Sequence, residues 1–138
     1  GVEKTEPKRV EVARILKSKI DSILAASSKA KIIVLGDMND ILTDPPNSNV
    51  FEIFIEDEND FLFADMGIAI GNSANWSWGN GNSHLDHILI TNELFDEFDY
   101  SESEIETIQI DNYMEFGWQD YASKVSDHLP VALKLKFN

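Results

Sequence analysis

The sequence predicts an α/β or α+β domain, and three observations carry that prediction. An amphipathic helical stretch opens the chain, short apolar runs of strand length follow, and polar loops come after the strand ends. A length of 138 residues suits one domain, and 43% apolar residues suffice to bury a core.

The opening stretch, "EPKRVEVARILKSKIDSILAAS", repeats Val12, Ile15, Leu16, Ile20, Ile23 and Leu24 at steps of three and four. That spacing stacks them on one helix face, with Pro7 suited to the helix start and "SSKAK" ending it. "KIIVLGD" (31–37) is continuous in Ile, Val and Leu and reads as a buried strand stopped by Gly36. "MNDILTDPPNSN" is rich in turn formers and must be a loop. A short helix is expected over 48–56, broken by "DEND", and a short strand in "FLFADMG" (61–67). The loop "IGNSANWSWGNGNS" (70–83) holds two of the three tryptophans, and "LDHILIT" (85–91) is another buried strand. "NELFDEFDYSESE" predicts a turn of helix and a solvated loop, "IETIQID" (105–111) a strand, "DNYMEFGWQDYASKV" a loop, and 130–137 a closing strand.

Composition narrows the chemistry. With no cysteine, disulfides and thiolate metal sites are excluded, so metal binding falls to carboxylates, imidazoles and amides. The net charge of −14 is unevenly spread: eight of the 11 basic residues lie in 1–31, and Lys124 is the only one between Ile32 and Leu133. Affinity for nucleic acid comes largely from Lys and Arg against phosphates, so this balance disfavours a nucleic-acid partner. No run approaches the roughly 18–20 apolar residues of a membrane-spanning helix. "GVEKTEPKR" also lacks the apolar centre of a signal peptide. The compartment stays open, with a soluble, cytoplasmic protein slightly favoured and secretion not excluded.

Three segments share one arrangement, a buried strand abutting Asp, Asn or His: "VLGDMND", "HLDHILI" and "VSDHLPVAL". Loop residues at strand ends commonly assemble sites on a rigid sheet. Alone, Asp37 and Asn39 read equally well as turn formers and Asp86 as a satisfied polar residue, while a helix or turn cap before Pro130 is the weaker reading of Asp127 with His128. Together they offer a carboxylate to activate water, an amide for a phosphate oxygen and an imidazole for developing charge. A second Asp could lock the imidazole tautomer, and another could bind Mg²⁺, which takes one or two carboxylates. No serine or cysteine nucleophile signature is present, so water is the better nucleophile.

"GDMND", "LDHILIT" and "SDHLPVALKL", in this order, resemble the C-terminal half of the endonuclease/exonuclease/phosphatase superfamily, which has the deoxyribonuclease-I-like fold. The resemblance implies a metal-dependent phosphoesterase using Mg²⁺ or Mn²⁺ and half of a four-layer α/β sandwich, mainly one mixed sheet covered by helices. It implies that Asp37 orients or deprotonates water, Asn39 bonds the phosphoryl group, Asp86 pairs with His128, His128 stabilises the transition state, and Asp127 sits at the metal. Trp76 or Trp78 falls where relatives line the substrate pocket, with Trp78 taken as the substrate-binding candidate, although packing under the loop is the better reading for both. His84 and His87 match no catalytic position, and His87 reads as structural.

The family's first half brings its principal metal-binding Glu, and no such motif stands in this sequence. Residues 1–138 are therefore expected to be the C-terminal half of one domain, inactive alone, and bound through an exposed apolar face to the other half or to a second copy. The implied partner is a phosphate-ester substrate. A catalytically silent scaffold of the same fold, or a nuclease acting on DNA or RNA, is the alternative.

Overall fold

The computed structural model describes residues 2–137. Helix α1 (Val2–Ala26) leads into β1 (Ile33–Asp37), α2 (Glu52–Ile55), β2 (Phe61–Phe63) and α3 (Met66–Ala69). After a polar loop come β3 (Asp86–Thr91), α4 (Phe95–Phe98), β4 (Glu104–Thr107), α5 (Trp118–Lys124) and β5 (Val131–Lys134).

This is the expected α+β class, but the strands form two sheets. Strand β3 lies between β1 and β2 and runs against both, while β4 and β5 make a separate antiparallel pair. The single mixed sheet is thus replaced, among the described residues, by two antiparallel ones. Strands β1 and β2 share a direction, but β3 inserts between them, so no parallel ladder forms.

Alternation along β3 sorts the core into layers. Leu89 packs with Ala13 and Ile20 of α1 and with Phe51, Phe54, Phe61 and Phe63. Ile88 and Ile90 face the other way, joining Ala64 and Leu94 against Ile105, Val131 and Leu133 of the second sheet. Helices α1 and α2 thus cover one face of the three-stranded sheet, and the two-stranded sheet covers the other. Burying a side chain such as Leu89 or Ile90 contributes about 1.5–3 kcal/mol.

Three local expectations change. Residues 111–125 are not all loop, because Trp118–Lys124 forms α5. That short helix buries Tyr121, whose hydroxyl donates to the His128 carbonyl at 2.9 Å, and an Asp120–Lys124 ion pair spans it. The first helix starts at Val2 and takes Pro7 inside it, and the strand expected over 105–111 ends at Thr107. A 3₁₀ turn, Ile110–Tyr113, follows it.

Helix α1 buries Ala13 and Ile20 but leaves Val12 64% and Ile15 56% exposed. Beside it, β1 is an outer strand with no second partner strand among the described residues, and Leu35 is 65% exposed. Val12, Leu16, Val34 and Leu35 line an apolar groove of about 360 Å³ that reaches Asp37.

Candidate active site

The ladder between β1 and β3 sets Asp37, the last residue of its strand, opposite Asp86, the first of the other. Beyond Asp37 the chain turns at once. Asn39 takes a left-handed conformation (φ 56°), which Asn tolerates better than most residues. Its backbone N–H donates to Asp37 Oδ1 at 2.9 Å and its side-chain amide to Asp37 Oδ2 at 3.2 Å.

His128 arrives from the segment before β5. Its Nδ1 is 2.7 Å from Asp86 Oδ2, while Nε2 faces Asp37 Oδ2 at 3.8 Å, beyond hydrogen-bond range. The ring is therefore oriented by one carboxylate and faces the other across a gap. Burial works to lower the pKa of His128, but the Asp86 hydrogen bond and the charges of Asp86, Asp37 and Asp127 outweigh it, leaving it raised.

The tryptophan loop is pulled onto this group. Gly79, Asn80 and Gly81 all have positive φ, and the tight turn lets Trp78 bridge both Ser83 and His128. A Cβ on Gly81 would lie 2.6 Å from the Ser73 carbonyl oxygen. Trp78 is half-buried and donates its indole N–H to Asp127 Oδ2 at 3.2 Å. Asp37, Asn39, Trp78, Asp127 and His128 line one open cleft of about 670 Å³, together with Asp40 and Asp44. Asp86 stands behind it, joined through His128. Trp76 is elsewhere, its indole on the Ile68 carbonyl.

Compared with known families, residues 1–137 match the endonuclease/exonuclease/phosphatase family. The chain belongs to this family. No curated protein and no solved structure matches it. Members of the endonuclease/exonuclease/phosphatase family are generally metal-dependent phosphoesterases or nucleases. No helix among the described residues is long and apolar enough to cross a membrane.

The cleft suits a hard cation by its donors. Asp37 and Asp127 present exposed carboxylates, and Trp78 bonds only one oxygen of Asp127. A different trio, Asp65, His84 and His87, brings ligand-type atoms within 4.8 Å of one another. Its hydrogen bonds argue against a metal there. His84 Nδ1 accepts the Ser77 N–H, so its Nε2 carries the proton, and that atom faces Asp65 Oδ2 at 3.1 Å. His87 Nε2 donates to the Asp40 carbonyl at 2.8 Å, while Nδ1 lies 2.7 Å from the same Asp65 oxygen. Asp65 Oδ1 takes the Ile88 N–H at 2.7 Å. Buried polar groups that satisfy one another in this way form a brace.

That brace is what the sequence left unread. His87 is buried and hydrogen-bonded, as a structural histidine should be, but its carboxylate partner comes from "FLFADMG", a stretch with no chemical signature. Through His87 the brace holds the Asp40 carbonyl, three residues beyond Asp37, and Arg9 of α1 holds the Asp40 carboxylate at 2.8 Å.

Proposed function

We propose that the chain is the C-terminal half of a phosphoesterase domain that uses a divalent metal and water. The observation that carries the reading is His128, held at 2.7 Å by Asp86 and facing Asp37 across 3.8 Å. Both groups line the open cleft, where a water molecule or a phosphoryl oxygen would meet them from the solvent side. Asp37 would orient a water and take its proton, and His128, its pKa raised by its acidic neighbours, would bind the phosphoryl oxygen as charge develops. Asp86 fixes the tautomer, as the third member of a hydrolytic triad does. Asn39 now donates to Asp37 and would turn to the phosphoryl group, while Trp78 forms a wall of the substrate cleft. Asp127 would hold a divalent cation, Mg²⁺ or Mn²⁺, which would supply Lewis-acid charge to the reaction when bound.

The acidic lining of the cleft favours a small or lipid-derived phosphate ester over a long polyanion. The groove between α1 and β1 is where the other half would pack, with a second copy as the competing occupant. The test uses the encoded full-length protein, a generic phosphodiester and a phosphomonoester, with Mg²⁺ or with EDTA. Metal-dependent turnover should be lost in Asp37→Ala and His128→Ala. Turnover unaffected by either substitution would remove that residue from the site, and none on a broad panel would favour the silent scaffold.

A further inference from the structure

We infer that Ser77 is a positioning residue that sets Asp86 and His128 relative to each other. This rests on the phosphoesterase reading for its catalytic consequence, although the geometry stands without it. Ser77 is 1% exposed and is bonded to each of the two segments that make the Asp86–His128 pair. Its hydroxyl oxygen accepts the backbone N–H groups of Leu85 and Asp86, each at 3.2 Å. Its carbonyl accepts the N–H of Leu129, next to His128, at 2.7 Å. One small residue thus spans from the backbone of the carboxylate to the backbone beside the imidazole.

Ser77 is itself held in place. Its N–H donates to His84 Nδ1, and His84 is tied through Nε2 to Asp65. The positive-φ turn at 79–81 returns the chain so that Trp78 pairs with both Ser83 and His128, fixing Ser77 from the other side. Any residue supplies the carbonyl that holds Leu129. The hydroxyl that holds Asp86 needs serine or a near equivalent, since an aliphatic side chain offers no acceptor and a large one has no room at a buried position. Ser77 therefore couples the start of β3 to the histidine loop, and its effect on chemistry passes through Asp86.

The test compares Ser77→Ala, which deletes the acceptor, with Ser77→Cys, which keeps the shape but accepts weakly. The first readout is the downfield proton resonance of His128 Nδ1–H in this chain, assigned by its loss in His128→Ala. The second is kcat and KM of the full-length protein on a phosphodiester. Ser77→Ala should broaden or abolish the resonance and lower kcat by about a hundredfold, the order expected from misplacing a catalytic group by an ångström. KM should change little, and Ser77→Cys should fall between. A purely structural serine would lower Tm and leave both readouts at wild-type values in the folded variant, which would overturn the assignment. If Ser77→Ala does not fold, wild-type resonance and kcat in Ser77→Cys overturn it equally. Should the wild-type protein turn over no phosphate ester, the phosphoesterase reading fails while the resonance still decides Ser77.

Discussion

Asp37 and Asp86 are partners across the β1–β3 ladder, and the imidazole of His128 lies 3.8 Å from one carboxylate and 2.7 Å from the other. Two acids on adjacent strands would ordinarily repel. Here the imidazole of His128 lies beside both carboxylates, whose charges work to raise its pKa.

Asp86→Asn should move the His128 titration down, because the hydrogen bond and charge that raise it come first from Asp86. The raised pKa stabilises the fold fully below the unfolded-state value, about 6.5, and that contribution fades as pH rises through the folded value. The variant should flatten this part of the stability profile, and NMR titration of His128 checks the shift. Turnover by the full-length protein should fall by about 10²–10⁴-fold.

Asp65 gives a pH dependence at the acid end. Burial alone would raise its pKa, but the hydrogen bonds from His84 and His87 prevail and hold it at about 2. Its contribution is complete above the unfolded value near 3.8 and disappears as pH falls through about 2. From that difference its loss is worth roughly 2 kcal/mol. Asp65→Asn should remove this segment of the acid-denaturation curve, and an unchanged curve would contradict the brace.

Asp127→Asn should leave the fold intact, since the residue is exposed, and should raise the divalent metal concentration needed for turnover. Activity against Mg²⁺ concentration in the full-length protein measures this. EDTA should abolish turnover in wild type and variant alike, and a variant with the wild-type metal requirement would exclude Asp127 as a ligand.

Leu35→Lys places a charge on β1 in the lining of the groove, where the side chain is 65% exposed. Stability of this chain should change by no more than about 0.5 kcal/mol, as for most surface substitutions. Association with the other half of the domain, or with a second copy, should be lost in sedimentation. Undiminished association would mean that the groove is not the interface.

The strands flanking the site were legible because their runs were apolar and each abutted Asp, Asn or His, as in "VLGDMND" and "HLDHILI". The placement of α5 was not, since only Asp120 and Tyr121 of its seven residues are buried and Gly117 with the acidic stretch before it reads as loop. Nor could Asp65, Ser77 and His84 be paired from sequence. Their partners lie 7 to 52 positions away, and only the tertiary fold brings them together. Chemistry-bearing residues at strand ends announce themselves, whereas a buried polar brace depends on tertiary distances.

Strand β1 presents Asp37 at its tip and, among the described residues, has a partner strand on one edge only. A chain added along the other edge would stiffen the strand up to the carboxylate that faces His128. On the proposed reading, such complementation would act as an ignition key, with the same strand serving as seam and as part of the site.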